Sequence, residues 1–334
     1  NGSPVYLTPK MDKQEEIYTQ AMQYLDDAIA DLQKEDLIDP EAQDLLYQGD
    51  AEKWLKLAYG LKARYTMHLL KRSANKDADM EKVLEYVNNS FESAEEQAAF
   101  DVYDANNINP LYGFFVARAG LGASESMRSK LAEYNDPRLS RAFITKQGTS
   151  GKEQAPGTAD NAVYAPNGTP EQGTSKYGTS LFMYSISAPT LLLSYHELKF
   201  LEAEALCRLE RDAKSALKDA VVAGLLNAEN SFTISRKELG KTLINAASSI
   251  TEAEAESYFD NTIEAKYTAE PLKTTMTQKY FALWGASGEA TESYNDVRRM
   301  KGLGENFIEL KNPNSFPLRC PYGNSDTTTN AEVK

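Results

Sequence analysis

Residues 189–210 read PTLLLSYHELKFLEAEALCRLE, and this stretch decides the fold. On a helix, which turns about 100° per residue, its apolar side chains fall on two opposite faces. One face carries Leu198, Leu201, Ala205 and Leu209. The other carries Phe200, Ala203 and Cys207. Between the two faces runs a strip of Glu197, Glu204 and Arg208. A helix with two opposed apolar faces must be packed between two layers, so the stretch predicts a central helix in an all-α array.

The bulk composition limits the classes of ligand. The chain has 334 residues, a formal net charge of −13, a hydrophobic fraction of 41% and a mean hydropathy of −0.53. No run of residues approaches the roughly 18–20 apolar residues that a membrane helix needs. The acidic excess disfavours binding to nucleic acid or to an anionic lipid surface, because both require concentrated Lys and Arg. Uncharged ligands remain compatible.

Helical periodicity recurs on both sides of the central stretch. It predicts helices at 12–33, 50–72, 78–88, 93–98, 124–134, 212–226 and 251–262, and one from 272–283 that continues towards 299. Long helices joined by short links indicate stacked helical hairpins like those of tetratricopeptide arrays. Because no strict 34-residue period is present, we describe the predicted fold as TPR-like. The predicted organisation is one unit, 1–334, with TPR-like helices at about 12–98, an irregular ligand-side region at 99–188, a helical core at 189–300 and a wrapping tail at 301–334.

Blocks spread over almost the whole chain occur in the order found in one known family. They are TPKMDKQEEIYTQAMQYLDDAIADL (8–32), DLLYQGDAEKWLKLAYGLKARYTMHL (44–69), INPLY (108–112), NDPRL (135–139), LSYHELKFLEAEAL (193–206), MTQKYFALWG (276–285), SYNDVRRM (293–300) and FPLRCPYGNSDTTTN (316–330). This ordered set resembles the SusD/RagB-type outer-membrane lipoproteins. In the tail the chain has Pro321-Tyr322 where the family usually has Tyr-Pro, and Asp326 or Glu332 at its usual acidic position.

The resemblance implies a function that composition alone does not give. It implies a lipid-anchored protein, exposed on the cell outer membrane, that captures a nutrient without chemical change. An oligosaccharide is the expected ligand, delivered to a SusC-like TonB-dependent transporter barrel. It also implies that a lipidated cysteine and further helices would precede residue 1, and that the membrane is reached only through that anchor. The alternative from the helical pattern alone is a scaffold that binds a protein or peptide partner in its hairpin grooves.

The irregular region supplies candidate ligand contacts. Sugar sites combine flat aromatic faces with amide and charged groups for the hydroxyls. The candidate ligand-binding residues are Asn109, Tyr112, Phe115, Arg118, Tyr164, Asn167, Tyr177, Tyr184 and Trp284, with Asp160 and Glu171 as further hydrogen-bonding groups. Core packing is the competing interpretation for Phe115 and Trp284. Tyr164 and Tyr177, which lie among Gly, Asn, Ser and Thr, are predicted to be exposed.

The sequence favours a non-enzyme without cofactor or metal. The only histidines, His68 and His196, lie in separate predicted helices, and no HExxH, paired-cysteine or EF-hand spacing is present. His68 is predicted to be a hydrogen-bonded core residue. The pair Arg298-Arg299 is compatible with an anion clamp or with structural ion pairs. Cys207 and Cys320 do not form a disulfide framework, and their redox state is left open.

Overall fold

The computed structural model describes residues 10–35, 40–118, 121–145, 153–168, 176–312, 315–317, 319 and 321–333. The helices in chain order are α1 (Gln14–Leu32), α2 (Ala51–His68), α3 (Lys76–Asn88), α4 (Pro110–Arg118), α5 (Glu125–Glu133), α6 (Tyr195–Arg208), α7 (Lys214–Leu239), α8 (Glu252–Tyr258), α9 (Glu264–Ala269), α10 (Pro271–Ala282), α11 (Ala290–Leu303) and α12 (Asn324–Thr329). The strands are β1 (Ala98–Phe100), β2 (Phe143–Ile144), β3 (Thr179–Ser180) and β4 (Thr190–Leu193). They form two antiparallel pairs, β1 with β4 and β2 with β3. The predicted all-α class is confirmed.

The central helix begins later than predicted. Residues 190–193 form strand β4, in which Leu193 pairs with Ala98 and Thr190 with Phe100. Ser194 then caps α6, because its side chain accepts a hydrogen bond from the Glu197 backbone N–H at 3.0 Å. The backbone groups of 190–193 are therefore satisfied by β1 rather than by a helical turn.

The two predicted faces of α6 pack into two separate cores. Leu198, Leu201 and Ala205 lie in a core built mainly by α2 and α3, which also holds the partly buried Trp54. Phe200 and Ala203 lie in the larger core, which includes side chains of α7 and α10 and contacts Trp284. The prediction of a helix packed between two layers is confirmed.

The polar strip of α6 is covered by one arginine of α2 and by α11, which forms a third layer. Arg64 on α2 holds Glu197 through its Nε at 2.9 Å from Oε1. Arg299 on α11 holds Glu204 through Nη2 at 2.8 Å from Oε2. Both glutamates are fully buried, and α6 is therefore enclosed on three sides.

Alternating charges extend this third layer. Glu305 pairs with Arg208, Arg208 with Glu204, Glu204 with Arg299, and Arg299 with Asp296, which also contacts Lys279 at 2.8 Å. Burial opposes the ionised form of Glu204, yet the adjacent Arg299 and Arg208 outweigh it and lower the pKa of Glu204 well below its usual range. Of the pair Arg298-Arg299, Arg299 forms structural ion pairs, as the ion-pair interpretation predicts.

Several predicted helix ends are wrong. Helix α7 runs to Leu239 rather than to 226, because Ala228, Phe232 and Ser235 continue its buried face. Residues 93–98 form a 3₁₀ turn and the start of β1 instead of a helix. The helix predicted from 272 towards 299 breaks after Ala282, within a segment where Gly288 has a φ of +85°.

The region 99–188 is less irregular than predicted. Besides the expected α5, it contains α4, which periodicity did not indicate. It also contributes fully buried side chains to the larger core, including Phe143, Leu181 and Phe182. Part of this region is therefore core rather than ligand-side loop.

Candidate functional site

Helix α4 is fixed in place by Asn109. Its side-chain oxygen accepts a hydrogen bond from the Leu111 N–H at 2.9 Å, as an N-cap. Its amide donates to the backbone oxygens of Ala188 at 2.8 Å and Ala286 at 3.3 Å. Asn109 is only 1% exposed, so the prediction that it contacts a ligand is replaced by a positioning role.

One side of α4 borders a cleft of about 330 Å³. The lining residues are Tyr112, Phe115, Val116, Tyr184, Glu238, Leu239 and Thr242. Tyr112 donates a hydrogen bond from its hydroxyl to Glu238 Oε1 at 3.1 Å. Burial and this carboxylate both raise the pKa of Tyr112, so the hydroxyl stays protonated. The rim of the cleft thus combines a flat ring with a carboxylate acceptor.

The floor of the cleft is aromatic and buried. Phe115 is 3% exposed and Tyr184 is 9% exposed, and their rings meet edge to face at 5.2 Å between centroids. Burial raises the pKa of the Tyr184 hydroxyl. Phe115 is a core residue, as its competing interpretation predicts, and it reaches the cleft only from beneath.

The outer side of α4 presents apolar surface to solvent. Phe114 is 52% exposed, although it belongs to a short helix packed on the core. Arg118 is also exposed at the last turn of the helix. Phe114 and Arg118 are four positions apart and therefore lie on the same helical face. An exposed ring beside a guanidinium is a second surface on which a flat ligand could rest.

The other candidates lie around α5, apart from the α4 cleft. Asn167 accepts a hydrogen bond from Ser124 Oγ at 2.9 Å and lines a separate cleft of about 660 Å³ between α5 and residues 306–311. Tyr164 is partly buried, with its ring 5.4 Å from Phe143 and 5.2 Å from the Arg128 guanidinium. Tyr164 is therefore less exposed than the sequence predicts.

Tyr177 corrects a second exposure prediction. Tyr177 is 4% exposed, because it packs closely against Gly122. A Cβ added at Gly122 would lie 3.1 Å from the Cβ of Tyr177. Trp284 is partly buried between Phe143 at 5.5 Å and Phe182 at 5.1 Å, which matches its core interpretation. Of the nine candidates, the structure brings Tyr112, Phe115 and Tyr184 together at one cleft. Arg118 lies on α4, the helix that carries Tyr112 and Phe115.

Sequence reasoning missed the α7 side of this cleft. Glu238, Leu239 and Thr242 follow the point where α7 was predicted to end. The buried period of Ala228, Phe232 and Ser235 is the signal that could have extended the helix to Glu238.

Other predicted groups have structural surroundings. His68 is hydrogen-bonded through Nδ1 to the Tyr18 hydroxyl at 3.1 Å and through Nε2 to Glu292 at 2.7 Å, as expected for a satisfied core histidine. Cys207 is a free thiol 3.6 Å from Thr275 Oγ1, and Asp160 is exposed. Glu171 and Cys320 lie outside the described residues.

The described ranges show neither a metal site nor a membrane-spanning helix. They contain no group of three His, Cys, Asp or Glu side chains arranged to hold a metal ion. None of the helices they contain has both the length and the apolar content needed to span a membrane.

Comparisons with known proteins agree on one family. A family model described as "SusD-like_2: Starch-binding associating with outer membrane" matches residues 1–322. A solved SusD/RagB family protein from Bacteroides thetaiotaomicron is 65% identical, with a TM-score of 0.94 over 99% of this chain and 71% of that one. None of the curated proteins compared with the chain matches it.

More distant structures share the fold alone. A SusD homolog from Bacteroides fragilis is 20% identical, with a TM-score of 0.73 over 97% of this chain and 71% of that one. A chitin-binding SusD homolog from Flavobacterium johnsoniae is also 20% identical, with a TM-score of 0.65 over 99% of this chain and 70% of that one.

Proposed function

Because the chain belongs to the SusD-like family, which is described as starch-binding in association with the outer membrane, we propose that it captures an oligosaccharide nutrient at the cell surface. Capture involves no chemical change of the ligand, so the protein is not an enzyme. The anchoring of this chain by a lipid and the delivery of its ligand to a SusC-like TonB-dependent transporter belong to the same proposal. Both rest on the family resemblance.

The observation that carries the proposed binding site is the aromatic surface of α4. Tyr112 offers a ring at the rim of a cleft, with the Glu238 carboxylate 3.1 Å from its hydroxyl. Phe114 adds a half-exposed ring about 200° further round the same helix, where it forms a second surface apart from the Tyr112 cleft. Sugar rings present apolar C–H faces to such rings and hydroxyls to such carboxylates. The site is pre-formed, since Asn109 anchors α4 to two distant backbone segments.

Charge also fits an uncharged ligand at this site. Glu238 is the only ionisable carboxylate among the residues that line the cleft, and it is already engaged by Tyr112. Acid–base chemistry on a glycosidic bond requires a second carboxylate across the cleft. The lining supplies none, which supports binding rather than hydrolysis.

The test is affinity gel electrophoresis against a panel of soluble polysaccharides. We expect retardation by at least one glycan, and a loss of affinity of about tenfold in Tyr112→Ala or in Phe114→Ala, according to which of the two surfaces the glycan stacks on. Tyr24→Ala is the matched control, since Tyr24 is an aromatic residue 62% exposed on α1. The α4 site is wrong if both α4 variants bind as tightly as the wild type.

A scaffold function remains the second candidate because of one specific observation. A cleft of about 820 Å³ lies along α1, next to the end of α2, and its lining includes the apolar residues Met22 and Leu69. In this case the protein would not bind any glycan, and Met22→Ala would weaken the capture of a peptide partner. The delivery step is tested separately, by co-purification of the protein with a SusC-like barrel.

A further inference from the structure

A strongly basic cleft lies where the C-terminal ends of two helices meet. It has a volume of about 440 Å³ and lies between the start of α1, the turn after α2 and the end of α11. Its charged lining residues are Lys71, Arg72, Arg298, Arg299 and Lys301, and no carboxylate appears among the residues that line it. In a chain with a net charge of −13, this is a local inversion of charge.

Most of these cations have no acidic partner. Arg299 is engaged by Glu204 and Asp296. For Lys71, Arg72, Arg298 and Lys301, the described residues provide no carboxylate oxygen within 4.0 Å. Across the described parts of the chain, the arginines without an ion pair are Arg72, Arg118, Arg298 and Arg319. Two of these four therefore face one cleft.

The negative ends of the helix dipoles compensate only part of this positive charge. The C-terminus of a helix carries about half a negative charge, which cations in its last turn stabilise. Helices α2 and α11 both end at this cleft, and together they offer about one negative charge. Even with the Glu292 carboxylate behind His68 counted, the four unpaired cations leave a positive surplus at the cleft. This surplus favours an anionic ligand.

Neutral donors complete the cleft, and one wall of it is rigid. Gln14, Tyr18 and Asn295 contribute amide and hydroxyl groups to the lining. The Tyr18 ring is held by His68 Nδ1 at 3.1 Å, and His68 is held in turn by Glu292 at 2.7 Å. Around this wall Lys71, Arg72 and Arg298 are exposed, and the Lys301 ammonium lies 5.4 Å from the centre of the Phe316 ring.

We propose that this cleft binds a multiply charged oxyanion of the phosphate class. A tetrahedral dianion accepts hydrogen bonds from several directions, so it can engage guanidinium forks and ammonium groups at the same time. A planar monocarboxylate matches one fork and leaves most of the positive charge uncompensated. The phosphate belongs either to a free soluble compound or to a lipid headgroup. This inference is independent of the ligand at α4.

The first experiment is calorimetric titration with inorganic pyrophosphate, with acetate at the same ionic strength as comparison. We expect binding of pyrophosphate and at least about tenfold weaker binding of acetate. Arg72→Gln and Arg298→Gln should each weaken pyrophosphate binding by about tenfold, because each removes one charge-assisted contact. Arg319→Gln removes an unpaired arginine outside the cleft and should leave the affinity unchanged. Thermal melts of all variants check that they are folded.

A second experiment distinguishes the two sources of phosphate. Vesicles of phosphatidylcholine with phosphatidic acid are compared with vesicles of phosphatidylcholine alone in a sedimentation assay. Binding that needs phosphatidic acid and is lost in the Arg72→Gln/Arg298→Gln variant assigns the site to a lipid headgroup. Pyrophosphate binding without vesicle binding assigns it to a free phosphate compound. Absence of both, or equal pyrophosphate affinity in wild type and folded variants, overturns the proposal.

Discussion

The contact between Glu292 and His68 makes the stability of this fold depend on pH. Burial alone would raise the pKa of its carboxyl, but the hydrogen bond and charge of His68 outweigh it and lower the pKa to about 2. A carboxyl with a depressed folded pKa stabilises the fold above its unfolded pKa of about 4.5 and loses that contribution as pH falls towards 2. The shift corresponds to about 3 kcal/mol of unfolding free energy.

This residue gives a prediction on acid stability. At pH 7 the wild type should be more stable than Glu292→Gln by up to about 3 kcal/mol, and the difference should vanish as the pH approaches 2. Urea unfolding followed by circular dichroism between pH 7 and pH 2 measures it. Tyr18→Phe is the control, since it removes the other contact of His68 but keeps the carboxylate. A stability difference that stays constant with pH would contradict the role given to Glu292.

Single residues also show where sequence reasoning about the site stops. Tyr112 could be found from sequence, because aromatic and amide residues are concentrated near it. The burial of Tyr177 could not, since it depends on the close approach of residue 122, which is 55 positions away in the chain. Glu238 could not be paired with Tyr112 either, because the contact joins residues 126 positions apart.

Among the elements, those whose own sequence determines their ends were predicted best. Asp50 and Thr251 cap α2 and α8 as local N-caps, and the faces of α6 follow from its period. Helix α4 was not predicted, because its anchor is a set of hydrogen bonds from Asn109 to Ala188 and Ala286. Strand β4 was mistaken for helix, because its pairing partner β1 is about 90 residues away.

The contact between α2 and β4 gives a prediction at this scale. Gly60 of α2 lies against β4, so that a Cβ there would overlap Leu193 and lie 2.7 Å from Ser90 Oγ. Gly60→Ala should therefore destabilise the protein by about 1–3 kcal/mol through overpacking.

The control is Gly302→Ala in α11, where the nearest atom to a new Cβ is Lys71 Cγ at 3.6 Å. That change should be neutral or should stabilise the protein by up to about 1 kcal/mol, since alanine favours helix. Thermal unfolding of both variants measures the two effects. If Gly60→Ala melts at or above the wild-type temperature, α2 and β4 are less tightly packed than the structure shows.

In the whole molecule, α6 joins two cores that would otherwise be separate. Each core contacts one of the two tryptophans, Trp54 on the α2–α3 side and Trp284 on the α7–α10 side. Both cores share α6. If either core opened alone, the apolar face of α6 that it buries would be exposed to water, so partial opening is disfavoured.

We therefore expect the two cores to unfold together. In the Trp54→Phe variant, tryptophan fluorescence comes only from Trp284. In the Trp284→Phe variant, it comes only from Trp54. The two variants therefore follow the two cores separately. Within each variant, the fluorescence midpoint in urea should coincide with the midpoint of circular dichroism. In either variant, a fluorescence transition clearly separated from the loss of helix would show that one core opens independently.

The enclosure of α6 on three sides also restricts how this chain can change over generations. One residue inserted between Phe200 and Glu204 would turn the rest of the helix by about 100°, carrying the glutamate away from its arginines and towards an apolar core. Side chains on α6 can therefore be exchanged for similar ones, but the helix cannot gain or lose residues from its length of 14. Helix α1, which has no buried residue, is free of this restriction. Insertions and deletions among descendants should accumulate in and around α1 and spare α6.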